Sequence, residues 1–370
     1  MMTNGDRKVL LLSVGYGKGH HSAAYSLAQC YDGRGWRTRV VDVCELAQPR
    51  LFRLTQLFYS FCVRKAPWLW GVTYSMTDTA DWRQLVTTPL FRSVLNVLES
   101  ELNAWSPDLV ICTYPLFAYM LDELRRNDDR RVPYAVVVTD AREISRPWML
   151  CSADLFLLPD EGSMHMVMDR YGIPAERVLA SGFPVGGEFA PDLRRGKPGS
   201  TCLNVLYGAY RQYGGVEDDI AALLGSFPQV RLTVLGGMHT RRLKRRFARD
   251  CEMGQLRVLS ETQKMAELLR QCHLYIGKAG AATVFECYAS EVPVLVNFTL
   301  PGQELGNLEL LLEDGAGRHV ETTAHLIETI KNLLDDDAAG WCDLHAAMRN
   351  ADRRCGAARI CNSIDSRLLR

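Results

Sequence analysis

Short, mostly apolar runs punctuate the first half of the chain at residues 9–14, 109–112, 135–138, 154–158 and 178–180, and longer stretches of helical period separate them. Runs that short and that apolar fit strands buried on both faces, and their alternation with helices predicts a parallel sheet covered by helices. The pattern pauses at the turn-rich Gly196-Lys197-Pro198-Gly199-Ser200 and then restarts, with runs at 203–207, 230–235, 273–276 and 292–296. The prediction is an α/β chain of two doubly wound, Rossmann-like domains facing across a cleft, the first over residues 1–190 and the second over 191–350. Residues 338–370 read as one or two helices with an arginine-rich outer face. Ligands of such sheets sit beyond the carboxyl ends of the strands, so the loops that follow strands carry the chemistry to look for.

Composition narrows the function. With 370 residues, 47% of them hydrophobic and 23% charged, each domain is long enough to bury its own core. Forty-three Lys and Arg cancel 43 Asp and Glu, which argues against holding nucleic acid by bulk charge. The 12 cysteines include no CxxC pair, so a zinc ribbon and a thioredoxin-type motif are both excluded and a reduced cytosolic interior fits. No signal-type leader and no uninterrupted apolar stretch of about 18 residues is visible, so the expected location is cytoplasmic, with no membrane crossing. The acidic run Asp335-Asp336-Asp337 reads as a solvated turn rather than a metal site.

The first apolar run leads into Gly15-Tyr16-Gly17-Lys18-Gly19-His20-His21 and a helix over residues 22–31. Glycines there permit tight turning and close backbone approach to a ligand. The GxGxG spacing misses the dinucleotide fingerprint by one residue and lacks the GK[ST] ending of a P-loop. Asp42, ending the next strand, lies further downstream than the roughly 20 residues a dinucleotide-binding carboxylate needs. His20 stands at the lip of a strand-loop-helix turn, where it can accept a proton from a substrate hydroxyl; a helix-capping histidine is the plainer alternative. His21 reads as a bystander.

A second loop, Gly277-Lys278-Ala279-Gly280-Ala281-Ala282-Thr283, also joins a strand to a helix. Its helix start presents backbone amides and the positive dipole end to a diphosphate, with Lys278 and Thr283 adding a charge and a hydroxyl. Glu286, about one turn further, can accept hydrogen bonds from vicinal ribose hydroxyls. After the next strand, Gln303, Glu304 and Asn307 suit a ring of sugar hydroxyls, although they would equally make a capping cluster at a helix start.

These residues carry a family resemblance. The chain is similar to the bacterial and plastid lipid glycosyltransferases typified by monogalactosyldiacylglycerol synthase and the processive diacylglycerol glucosyltransferases. The similarity runs through residues 15–20, Thr113-Tyr114-Pro115-Leu116, Thr139-Asp140, Gly182-Phe183-Pro184-Val185, Lys264-Met265-Ala266-Glu267-Leu268-Leu269, Lys278-Ala279-Gly280 and residues 301–307, whose GQExxN pattern is the most specific. The resemblance implies a GT-B fold, with residues 351–370 forming a helix that returns to the first domain. It implies an inverting, metal-independent transfer of a hexose, galactose or glucose, from a UDP-sugar to a lipid acceptor such as diacylglycerol, with no cofactor besides the donor. His20 would be the general base. Gly17 and Gly19 would line the first loop, Lys278, Ala279, Gly280, Ala281, Ala282 and Thr283 the diphosphate cradle, Glu286 the ribose site, and Gln303, Glu304 and Asn307 the donor-sugar site. A UDP-sugar epimerase, a lipid II-type UDP-GlcNAc transferase and a non-catalytic nucleotide or lipid sensor are the alternatives on the same fold.

The chain departs from the family in lacking a histidine between Asp140 and Trp148, in carrying Ala279 and Ala281 in the second loop, and in opening the donor domain with Tyr207-Gly208-Ala209-Tyr210. Residues 50–76 concentrate Leu51, Phe52, Leu54, Leu57, Phe58, Tyr59, Phe61, Trp68, Leu69, Trp70 and Tyr74 beside Arg50, Arg53, Arg64 and Lys65. That mixture suits either an anionic membrane surface, met peripherally from the cytoplasmic side, or a pair of helices packed on the first sheet, and different faces can do both. Pro67 divides the segment into two helices. A basic run at residues 241–246 reads as the solvated face of a helix, and nucleic acid is not an expected partner.

Overall fold

The computed structural model describes residues 7–16, 19–127, 132–192, 195–199, 201–210, 215–300, 304–354 and 356–369. The chain divides into two compact units, one of residues 1–187 with 301–303 and 355–370, the other of residues 188–300 and 304–354.

The first unit is built on six strands: β1 (Lys8–Leu12), β2 (Arg37–Val41), β3 (Leu109–Cys112), β4 (Tyr134–Val137), β5 (Leu155–Leu158) and β6 (Val178–Ala180). All pair in parallel, in the order β2-β1-β3-β4-β5-β6. Strand pleating sorts β1 by alternate residues. Val9 and Leu11 face the helices Gly19–Asp32 and Gly356–Leu368, through Ala24, Leu27, Tyr31, Ile360 and Ile364. Leu10 and Leu12 face the opposite layer, with Val94, Leu98 and Phe117.

The second unit contains β7 (Leu203–Gly208), β8 (Val230–Leu235), β9 (Leu256–Leu259), β10 (Leu274–Lys278), β11 (Val294–Phe298) and β12 (Gly317–His319), again all parallel, in the order β12-β11-β10-β7-β8-β9. The apolar runs had marked neither β9 nor β12. Both are short edge strands whose pattern keeps polar residues at solvated positions, so the uniform apolar signature of a central parallel strand is missing from them. The turn reading of the acidic run holds: Asp335–Ala338 leave helical geometry inside Thr323–Asn350, and Asp337 pairs with Lys197.

Strand order matters most for function. In the first sheet the chain moves from β1 to one side, then returns to the other side of β1 as β3; in the second it moves from β7 through β8 and β9, then returns beside β7 as β10. Each sheet therefore has one reversal point, β1/β3 and β7/β10, where connections diverge and leave a crevice at the carboxyl ends.

The last helix meets the first unit at a glycine contact. Gly182 has φ +92°, and a Cβ on Gly356 would lie 2.1 Å from the Phe183 carbonyl oxygen. Gly356→Ala is expected to destabilise the protein by about 1–3 kcal/mol, from overpacking against backbone. Urea unfolding with an unchanged midpoint would show that this contact yields freely.

Candidate functional site

At the β1/β3 reversal, His20 is the second residue of helix Gly19–Asp32. Its Nδ1 lies 2.9 Å from the Thr113 carbonyl oxygen, just past β3, and 2.9 Å from Thr139 Oγ1, just past β4. A carbonyl only accepts, so the contact assigns the proton to Nδ1 and leaves the lone pair on Nε2. Thr113 Oγ1 in turn donates to the His20 carbonyl at 3.2 Å. Tyr114 and Trp148 place their rings 5.2 and 6.3 Å from the imidazole. Burial pushes the His20 pKa down to about 4, against the opposing pull of the Thr113 carbonyl and with a smaller push from His21. The ring is neutral at physiological pH, with Nε2 unprotonated.

The loop before His20 is braced from two sides. Gly15 donates its N–H to Asp42 Oδ2 (2.9 Å), and its carbonyl accepts from Gln56 Nε2 (3.0 Å). A Cβ at Gly15 would fall 2.6 Å from Gln56 Nε2, so any side chain there would displace the Gln56 amide from the loop. Asp42 also caps the helix Val43–Ala47 and stands 3.9 Å from His21 Nε2. Its carboxylate is committed to the loop, which removes the basis for a ribose role in dinucleotide binding, and His21 faces Asp42. Gly19 opens the first helix; Gly17 lies outside the described residues.

Helix Pro49–Lys65 packs its inner face on this loop. Phe52 meets the Tyr16 ring edge-on at 5.3 Å, and Thr55 Oγ1 lies 2.8 Å from the Tyr16 hydroxyl. Its outer face exposes Leu51, Leu54, Leu57, Phe58 and Phe61, at helical spacing. The chain breaks at Ala66 before helix Pro67–Thr79, which exposes Trp68, Val72 and Met76. One face of this segment thus packs on the first unit, as foreseen, while the other leaves apolar side chains exposed. The side chains of Arg64, Lys65 and Trp70 lie outside those described.

Within the Asp140–Trp148 stretch, Arg142 adopts the left-handed region at φ +61°, with Nε 3.6 Å from Asp160 Oδ1. Neighbouring Asp140 accepts from Trp148 Nε1 at 2.8 Å, which holds that ring near His20.

At the β7/β10 reversal, Lys278 ends β10 and Gly280 precedes helix Ala281–Ala289. Gly280 supplies no side-chain cap, so the amides of Ala281, Ala282 and Thr283 are not claimed by a capping side chain. Lys278 Nζ pairs with the Glu304 carboxylate, which is 4% exposed and also accepts from the Leu300 N–H at 3.0 Å. Asn307 Nδ2 donates to the Ala279 carbonyl at 3.0 Å, tying helix Leu305–Glu313 to the loop. Glu286 is buried in the second turn of its helix. Lys278, Glu304 and Asn307 are therefore gathered in one place, whereas Gln303 lies outside the described residues.

Two contacts of this unit, one of them made by a residue of the Tyr207–Tyr210 opening, appear only in the structure. Tyr210, beyond the end of β7, is half-exposed and sets its ring 5.6 Å from Lys278 Nζ. The strand-loop position just before residue 210 was the available signal. Asp219 is fully buried and accepts from Tyr207 (2.8 Å), Asn297 (3.3 Å) and Thr323 (2.6 Å), bracing the ends of β7 and β11. Nothing in the local sequence marks that partnership. Among the described residues, no group of three or more His, Cys, Asp or Glu side chains is arranged to hold a metal ion.

Comparison with known proteins agrees with this layout. Residues 20–185 match the family model for monogalactosyldiacylglycerol (MGDG) synthase, and residues 230–360 match that for the glycosyltransferase family 28 C-terminal domain. A processive diacylglycerol beta-glucosyltransferase of Bacillus cytotoxicus is 28% identical over 348 residues, covering 89% of this chain and 86% of that protein. A protein of the same name from Bacillus cereus is 26% identical over 374 residues, covering 96% and 93%. Among solved structures, MurG of Acinetobacter baumannii superposes with a TM-score of 0.61 at 15% identity, over 97% of this chain and 99% of that one. The UDP-GlcNAc 2-epimerase from Neisseria meningitidis gives 0.62 at 14%, over 98% and 99%. The fold is GT-B, and the resemblance to lipid glycosyltransferases holds over most of the chain.

The geometry around His20 has a pH consequence. Its folded-state pKa lies below that of an unfolded histidine, about 6.5, so the unfolded chain takes up the proton first. The contribution of His20 to stability is complete above about pH 6.5 and is lost as the pH falls toward 4. An NMR titration of the ring should show a midpoint near 4; a midpoint above 6 would contradict a buried, neutral imidazole.

Proposed function

We propose that this chain is an inverting hexosyltransferase that moves galactose or glucose from a UDP-sugar to the hydroxyl of diacylglycerol or a close lipid relative, at an anionic membrane surface on the cytoplasmic side. The observation that carries the reading is the division of chemistry between the two sheet reversals: a tautomer-set histidine at one and an uncapped helix start with a lysine and two sugar-type ligands at the other. The match of residues 20–185 to the MGDG synthase model favours a lipid acceptor over the epimerase chemistry known for the same fold.

In this reading the acceptor hydroxyl gives its proton to His20 Nε2 as its oxygen attacks the anomeric carbon. The bond from that carbon to the donor's diphosphate oxygen breaks in the same displacement, which inverts the configuration. Thr113 and Thr139 hold the imidazole in position throughout. Charge developing on the departing diphosphate is met by the amides of 281–283 and by Lys278, so the step needs no metal ion. Glu286 takes the ribose hydroxyls, and Glu304 and Asn307, with Gln303, take those of the sugar. Because Lys278 and Glu304 are paired with each other, the donor exchanges that ion pair for two substrate contacts, phosphate for one partner and sugar hydroxyls for the other.

The acceptor side rests on helix Pro49–Lys65. Leu54 is 62% exposed and Trp68 on the next helix 70%, with Arg50 and Arg53 exposed beside the apolar stripe. Apolar groups flanked by cations suit shallow insertion into an anionic headgroup layer. No helix among the described residues is long and apolar enough to cross a membrane. The inner face of the same helix braces the His20 loop, so membrane contact and the proposed base share one rigid support.

Purified protein should transfer label from one of a panel of UDP-hexoses to vesicles containing diacylglycerol and anionic lipid, with chelator present. His20→Ala should lower turnover by about 10²–10⁴-fold while UDP affinity stays within about twofold. Glu286→Ala should instead weaken UDP binding by about tenfold or more, measured by calorimetry. Unchanged turnover in the first variant would remove His20 from the mechanism, and epimerisation of the donor without lipid would overturn the transferase reading.

The double variant Leu57→Asp with Phe61→Asp is expected to lose co-sedimentation with those vesicles. Transfer to a short-chain acceptor in detergent should persist. Retained vesicle binding would move the membrane contact elsewhere.

A further inference from the structure

We propose that Cys30 and Cys361 form a redox-active thiol pair, in which a hydroperoxide oxidises Cys30 and Cys361 then closes a disulfide between the first and last helices of the first unit. The pair has no part in the transfer chemistry above and stands independently of it.

Helices Gly19–Asp32 and Gly356–Leu368 lie against each other on one face of the first sheet. Their contact is fixed by polar links on both sides of Cys361. Arg34 donates to the Ala358 carbonyl (3.2 Å), to Asn362 Oδ1 (2.7 Å) and to Asp365 Oδ2 (2.6 Å), and Tyr31 donates to Asp365 Oδ1 (3.1 Å). Between these links Cys361 is fully buried and Cys30, half-buried, packs on the same cluster. Cys30, one turn before Arg34, and Cys361, between Ala358 and Asn362, therefore lie on the faces that these two helices turn to each other.

This arrangement separates the roles of the two sulfurs. The neighbouring Cys361 and the Arg34 guanidinium hold the Cys30 thiol below its ordinary range, against burial and Asp365; the neighbouring Cys30, then burial, holds Cys361 above it. Burial raises Cys44, Cys62, Cys112, Cys151, Cys251, Cys272 and Cys287 instead. A thiolate-prone, partly accessible cysteine beside a second thiol is the arrangement that oxidants find first.

The chemistry balances. The Cys30 thiolate attacks the terminal oxygen of the hydroperoxide and the O–O bond breaks, giving the sulfenic acid and, after protonation, water or an alcohol. The Cys361 sulfur then attacks the sulfenic sulfur; the S–S bond forms, the S–O bond breaks, and water leaves with the Cys361 proton. Two thiols lose two electrons and the hydroperoxide gains them. The product ties residue 30 to residue 361 and so cross-links nearly the whole length of the chain, which restricts the unfolded state.

The test treats the full-length protein with one equivalent of hydrogen peroxide, alkylates the remaining thiols and maps peptides without reduction. The first product expected is a peptide joining Cys30 to Cys361, reversed by dithiothreitol and accompanied by a higher melting temperature. Cys361→Ser should stop at a dimedone-trappable sulfenic acid on Cys30. In unoxidised protein Cys361→Ala, which removes the donor that serine would retain, should slow Cys30 alkylation at mildly acidic pH by about tenfold, as expected for one pKa unit; a merely structural contact would not change that rate. The proposal fails if Cys342, Cys202 or Cys251 is oxidised before Cys30, or if oxidised Cys30 does not pair with Cys361.

Discussion

A parallel sheet cannot be assembled in simple sequence without leaving every connection on one path, and here each sheet reverses direction once. At that reversal the two flanking connections diverge, and the carboxyl ends of two central strands are left uncovered. The strands involved are buried on both faces, so the loops they carry start from rigid ground. His20 follows β1 and is held by a carbonyl just past β3; Lys278 ends β10 and lies under a ring carried just past β7. The candidate chemistry of both units descends from this one topological constraint.

Polar groups at the two reversals are held in opposite electrostatic conditions. His20 is kept neutral by burial, and a single carbonyl selects which nitrogen keeps its lone pair. Lys278 is paired with Glu304, whose second oxygen is occupied by a backbone amide. Replacing one partner of such a pair leaves an uncompensated buried charge, whereas a ligand that satisfies both partners can substitute for it. The first arrangement suits accepting a proton and the second suits admitting an anion with a neutral, hydroxyl-rich appendage.

Helix Pro49–Lys65 shows how one element serves two surfaces. Phe52, Thr55 and Gln56 brace the loop at Gly15 and Tyr16, while Leu54, Leu57 and Phe61 remain outside. Helical periodicity separates these sets by less than half a turn of sequence, which is why a segment of mixed aromatics and cations looked equally like core and like membrane face.

The central strands, the two glycine-containing loops and the break at Pro67 were legible because each depends on local chemistry: uniform burial, freedom of the backbone, and a missing amide proton. So were His20, Lys278 and Glu286, whose positions at strand-to-helix junctions follow from the same pattern. The edge strands β9 and β12 were not, because an edge strand has solvated positions and no distinctive run. The contacts of Tyr210 and Asp219 and the approach of Cys30 to Cys361 were also invisible, since each acquires meaning from residues distant in sequence. Asp42 already lay too far downstream for a ribose ligand, and the fold shows where its oxygens go instead, to the N–H groups of Gly15 and Glu45. By itself, then, the sequence determined the alternation of strands and helices and which loops could meet a ligand, because those depend on neighbours along the chain. Tertiary structure alone decided which polar atoms were already spent, which tautomer His20 adopts and which helix faces bring Cys30 toward Cys361, because hydrogen bonds and burial are properties of neighbours in space.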